Sequence, residues 1–341
     1  MAIISRKKIA YSVSEALLSF LKRQNRYSFI PIHYADLQRY DNAISLYDLQ
    51  GEDTLWKTVF YPQEDMKQIH HSLKQIYAIL KADGDMTVME HLYVDRVDLC
   101  IYGNTQPFRV RIVNQINDNF DYFYIKNADA SRVYGIELEH MLSPNRFSYL
   151  VYEQTLIEEH IAGIPGDQFM KFHMDDYNFN KIRLAKEFVK FNERCFVRLL
   201  GDMHSSNFVV DITPDFEEVH YRIRAIDFDQ QSFEGRRAIY MPQYFKQNNP
   251  IIQVGLESMT PETVRQYQKE ERTLISKRVR ASRNVLRDLL SVMKSDIISI
   301  PENEESLKKE LARFYKYNGF LRCKNMGDIL ETSLSRLFSS S

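Results

Sequence analysis

From Leu199 to Gln230 the chain reads LLGDMHSSNFVVDITPDFEEVHYRIRAIDFDQ, and this stretch constrains the fold more than any other. LGDMHSSN is short, polar and rich in turn formers, so it reads as a loop. FVVDI and YRIRAIDF are β-branched and aromatic runs parted by a turn containing Pro and Asp, which predicts the two strands of a hairpin. Such a hairpin puts Asp202 and Asn207 ahead of one strand and Asp227 at the end of the next. All three can then meet at one end of it.

Two Asp and one Asn so placed suit phosphoryl transfer from ATP. That chemistry asks the protein for positioning, for ligands to a metal that offsets phosphate charge, and for a carboxylate that orients the attacking hydroxyl. Amide and carboxylate oxygens are hard ligands of the kind Mg²⁺ takes. The block resembles the aminoglycoside phosphotransferase and choline kinase-like branch of the protein-kinase-like superfamily, which reads H-G-D-x-H-x-x-N and then I-D-F/W. Gly201, Asp202, His204, Asn207, Ile226, Asp227 and Phe228 carry the resemblance. Leu200 stands in place of the leading His, and Asp229 where many kinases have Gly. An Asp and an Asn at this spacing are common turn chemistry by themselves, so the specificity lies in the joint pattern.

The resemblance implies an α+β, bilobal protein-kinase-like fold, with an antiparallel-sheet N-lobe over residues 89–162 and a mainly helical C-lobe over 163–341. It implies ATP bound between the lobes, Mg²⁺ on Asn207 and Asp227, and Asp202 orienting the acceptor hydroxyl. A lysine ending the third strand should contact the α- and β-phosphates, and Lys126 in Tyr124-Ile125-Lys126 fits. A strand-ending lysine is otherwise a solvated residue. The partner acid is Glu137 or Glu139 on the next helix. Glu137 is preferred for its place beside Leu138 and one turn before Met141, and the bland alternative leaves both as solvated helix charges. An apolar strand running into Gly163 resembles the adenine-binding hinge, which assigns main-chain contacts to Glu159, His160 and Ile161. The turn Gly103 to Gln106 has one glycine where many protein kinases have three.

The remaining elements follow from periodicity. Residues 1–88 read as a mainly helical N-terminal extension. Val13, Leu17, Leu18 and Leu21 share one face, and Ile69, Leu73, Ile76 and Leu80 share another between Pro62 and Lys81. Asp83-Gly84-Asp85 ends that helix. His70 and His71 are adjacent, point about 100° apart, and cannot chelate one metal together. RVDLCIYG, PFRVRIVNQ and FDYFYIKN predict a three-stranded meander. Helices are expected near 131–142 and 181–194, as one long element over 261–296, and near 303–316 and 325–338. Arg236, Arg237 and Lys246 form a basic lip after Asp229, which hints at an anionic substrate. The basic run Lys277 to Arg283 reads as a solvated face.

Composition bounds the rest. A net charge of −1 argues against a general nucleic-acid binder. Three scattered cysteines without a C-x-x-C exclude a zinc ribbon and fit a reducing cytoplasm. The N-terminal stretch lacks the pattern of a secretory signal, and no run is long and apolar enough for a membrane span. The expected partner is a small-molecule or sugar hydroxyl, with a protein acceptor as the alternative and a nucleotide-binding pseudokinase as the rival from another class. The sequence does not fix an oligomeric state.

Overall fold

The structure is a computed structural model, and it describes residues 8–48, 51–103, 105–176, 179–214 and 219–338. In chain order its main elements are α1 (Glu15–Arg23), α2 (Tyr34–Leu37), β1 (Asn42–Tyr47), β2 (Asp53–Phe60), α3 (Gln63–Lys81), β3 (Leu92–Cys100), β4 (Phe108–Asn114), β5 (Phe120–Asn127), α4 (Ala130–Leu142), β6 (Tyr149–Tyr152), β7 (Thr155–Glu159) and β8 (Ile164–Pro165). Then follow α5 (Gly166–Phe172), α6 (Lys181–Val197), β9 (Phe208–Pro214), β10 (Val219–Ala225), α7 (Asn249–Ser258), α8 (Pro261–Ala281), α9 (Arg283–Met293), α10 (Pro301–Tyr315) and α11 (Met326–Ser335). The fold is mixed α+β. Among the described residues no helix is long and apolar enough to cross a membrane.

The chain divides into two compact units. One comprises residues 8–129 and 147–160. Here β1-β2-β3-β4-β5-β7-β6 form a seven-stranded, wholly antiparallel sheet. Its core joins Ile69, Leu73, Ile76 and Leu80 of α3 to Val97, Val110, Phe123 and Ile125 of the strands. The helical stripe and the alternation of the strands thus bury into each other. Ser14 caps α1 by accepting the Leu17 N–H, and Asp83 and Gly84 leave α3 through left-handed φ values.

Three expectations need correction. The segment 1–88 carries α1, α2 and α3 as its helical part but is no separate extension, because β1 and β2 lie within it and extend the sheet beyond β3. Their alternation is diluted by polar residues, and pairing such as Trp56 with Cys100 and Val59 with Val97 supplies what local pattern does not. The boundaries 89–162 and 163–341 also differ from the units found, since residues 130–146 belong with the helical unit. The single helix over 261–296 is two, α8 and α9, parted at Ser282 (φ −99°, ψ 16°). Lys277, Arg278, Arg280 and Arg283 crowd like charges at helical spacing there, and serine is a poor helix former.

The second unit comprises residues 130–146 and 161–338. A small sheet, β10-β9-β8, packs with α6, and α6 packs with α7 and α8. Side chains tie α6 to its neighbours: Arg272 Nε of α8 donates to Glu193 at 2.7 Å, and Arg194 Nη2 donates to the Ile223 carbonyl of β10 at 3.2 Å while pairing within α6 with Glu187 at 2.6 Å.

Candidate active site

The loop between α6 and β9 is built by backbone bonds that its side chains reinforce. Leu200 forms an isolated antiparallel bridge with Gln231, and the Ser232 N–H donates to the Leu199 carbonyl at 2.8 Å. Gln231 Nε2 donates to the Arg198 carbonyl at 2.6 Å. Asp202 takes a left-handed φ of +61°, a conformation that short polar side chains tolerate, and its N–H donates to the Ile239 carbonyl at 3.0 Å. Fully buried Asn248 donates to the carbonyls of Met203 and Pro242. From below, Gly166 fits because an added Cβ would lie 2.4 Å from the Phe208 ring and 2.6 Å from the Ser205 carbonyl.

Asp202, Asn207 and Asp227 come together in this unit. Asn207 Nδ2 donates to the Asp202 carbonyl at 2.8 Å, and the Asn207 carbonyl accepts from the Ile226 N–H at 3.0 Å. Asp227 therefore follows directly on the residue that Asn207 holds. The Asp202 carboxyl is pushed up to about 7, first by burial and then by the charges of Asp227, Glu234 and Asp229. His204 Nε2 stands 4.0 Å from Asp202 Oδ1, and its Nδ1 accepts from the Ser206 N–H. Burial holds the His204 pKa below its ordinary value, although Asp227 and Asp167 oppose this.

The sequence reading missed Arg132. Its Nη1 donates to Asp227 Oδ1 at 2.8 Å and to Asp229 Oδ1 at 2.9 Å, while Nη2 donates to the Ile226 carbonyl at 3.2 Å. Its side chain is 2% exposed. No local sequence signal marks it: the burial of this helix at every position but His140, which obliges the arginine to find a carboxylate partner, emerges only in the folded unit. Glu139 on the same helix is ion-paired with buried Arg198, and Glu137 is buried as well. Neither is the solvated charge of the bland reading.

In the sheet unit Lys126 is buried, and its Nζ donates to Glu158 at 2.8 Å, a partner the sequence reading did not weigh. Glu159 pairs with Lys81 at 2.9 Å, and His160 Nδ1 lies 3.1 Å from the Tyr124 hydroxyl. The Glu159 and His160 N–H groups donate to the carbonyls of Ser148 and Tyr122, so neither is left for a base. Ile161 is buried in the helical unit. The turn 103–106 includes Asn104, which lies outside the described residues. Of the basic lip, Arg237 is committed: its N–H donates to Glu310 and its guanidinium lies 4.5 Å from the Phe314 ring centroid.

Among the described residues no three His, Cys, Asp or Glu side chains converge to hold a metal. The donor set instead offers one amide oxygen, with the Asn207 NH₂ turned to a carbonyl, and one partly exposed carboxylate, Asp227. These are oxygen donors of the kind Mg²⁺ accepts when phosphates and water complete its shell.

No protein-family model matches the sequence, and no curated protein matches it. Among solved structures, the Helicobacter pylori proinflammatory kinase CtkA is similar at 8% identity with a TM-score of 0.35, over 68% of this chain and 94% of that one. Titin kinase with its flanking domains gives 13% identity and a TM-score of 0.27, over 72% and 54%. Rad53 in complex with AMP-PNP gives 12% and 0.23, over 74% and 64%. Scores of this size carry no argument about the present chain.

Proposed function

We propose that this chain is a phosphotransferase that moves the γ-phosphate of ATP to a hydroxyl of a small molecule or sugar. The observation that carries the reading is the convergence of Asp202, Asn207 and Asp227 through the 2.8 Å and 3.0 Å bonds of Asn207. Asn207 and Asp227 would hold Mg²⁺, which supplies charge to offset the triphosphate. Asp202, pushed up to about 7 by burial and neighbouring acids, is suited to accept the acceptor hydroxyl's proton near neutral pH. His204, held toward its neutral form by burial, caps the turn Ser205–Asn207 and so fixes Asn207. The roles assigned from sequence to Lys126 and Glu137 belong to this proposal, as does the main-chain role of residues 159–161, without the committed N–H groups of Glu159 and His160.

Thermal melting with and without Mg²⁺ and ATP, on the parent and on Asp227→Ala, tests it. A ligand at a hundredfold over its dissociation constant adds about 2.7 kcal/mol to the folded state. A Mg²⁺-dependent rise that disappears in Asp227→Ala supports the site, and no rise at millimolar ATP overturns it. One observation favours a second reading, a nucleotide-binding pseudokinase: the Arg132 guanidinium already lies on Asp227 and offsets its charge. Transfer of labelled γ-phosphate separates the two.

A further inference from the structure

The basic run on α8 is not a merely solvated face. A trough of about 550 Å³ runs along this helix, and its ten lining residues include no Asp or Glu. Arg265, Lys269, Arg272, Lys277 and Arg280 line its length. Carboxylates offset two of the five, Glu262 on Arg265 and Glu193 on Arg272. Lys269, Lys277 and Arg280 are exposed and have no carboxylate partner among the described residues. Like charges gathered at helical spacing cost stability, a cost that an anion in the trough would reverse. Gln268, Thr273 and Ser276 add uncharged hydrogen-bonding groups. One end is apolar: Leu337 and Phe338 lie there, with Arg280 5.2 Å from the Phe338 ring centroid.

From these features we infer that the α8 trough binds an acidic peptide segment of a protein partner. The row from Arg265 to Arg280 spans about 22 Å at the helical rise, too long for one phosphate and matched by about six or seven extended residues. Opposite charge supplies the attraction, and the Leu337–Phe338 end accepts an apolar side chain beside the acids. The site is separate from Asp202 and Asp227 and does not depend on their role.

The test is fluorescence anisotropy of the full chain with a labelled eight-residue Glu/Asp peptide carrying one terminal Leu. A labelled uridine octamer and inorganic pyrophosphate serve as comparison ligands. Peptide binding that weakens at least tenfold in the double variant Lys269→Glu, Lys277→Glu is expected, with a steep fall as salt rises. Lys269→Gln, Lys277→Gln should give an intermediate loss, and because both lysines are exposed and amid like charges the melting temperature should not fall. Tighter binding of the uridine octamer overturns the proposal in favour of nucleic acid. Full displacement by micromolar pyrophosphate overturns it in favour of a small-anion site. Peptide binding unchanged in the charge-reversal variant, or no binding at low salt, overturns it outright.

Discussion

At the scale of single residues, the site turns on how four acids and one buried arginine share a small space. Asp202 is crowded by Asp227, Glu234 and Asp229, and Arg132 is placed to offset two of these neighbours. Asp202→Asn should keep the Mg²⁺- and ATP-dependent melting shift and lower phosphate transfer by about 10²–10⁴-fold. Transfer at the parent rate would remove Asp202 from the mechanism. Arg132→Met truncates one partner of a buried ion pair, a change that costs about 3–5 kcal/mol. Millimolar Mg²⁺ should recover part of that loss, so the variant's melting temperature should rise more with Mg²⁺ than the parent's. A third expectation concerns Cys195. Burial pushes its thiol far above the ordinary range, so iodoacetamide at pH 8 should label half-buried Cys100 and leave Cys195 until the protein unfolds. Mass spectrometry of the labelled peptides reads this directly.

Among the elements, the hairpin β9-β10 and the helix α4 do different work. The hairpin was legible because two apolar runs flank a polar turn. Its observed register pairs Phe208 with Ala225, which brings the residues before one strand beside those after the other. The role of α4 was not legible, because its partners are distant in sequence. Arg132 meets acids 95 and 97 positions away, and the Tyr134 hydroxyl meets Asp296. The helix α5 enters the same construction through Gly166. Gly166→Ala should cost about 1–3 kcal/mol by overpacking, measured by urea denaturation. Since the added methyl would press on the Ser205 carbonyl, the turn Ser205–Asn207 should shift too and weaken Mg²⁺-dependent nucleotide binding. An alanine variant with parent stability would show that the loop gives way freely.

For the whole molecule, the chain crosses between the two units after residues 129, 146 and 160, so neither unit is one continuous segment. A fragment of residues 161–338 lacks α4 and therefore lacks Arg132, Glu139 and Tyr134, whose partners Asp227, Asp229, Arg198 and Asp296 it retains. It should melt without a cooperative transition by circular dichroism, whereas a fragment of 130–338 should regain one. A cooperative transition in the shorter fragment would mean that α4 contributes little to the unit. The sequence by itself determined the local elements whose signal is periodic: the stripe of α3, the meander β3-β4-β5, the hairpin β9-β10, and the grouping of Asp202, Asn207 and Asp227 that the hairpin enforces. Tertiary structure alone decided that β1 and β2 join the sheet, that Lys126 lies against Glu158, and that Arg132 lies on Asp227 and Asp229. The physical reason is the same in each case. Periodicity reports which face of an element is apolar, whereas the partner of a strand edge or a buried charge is fixed only when distant segments meet.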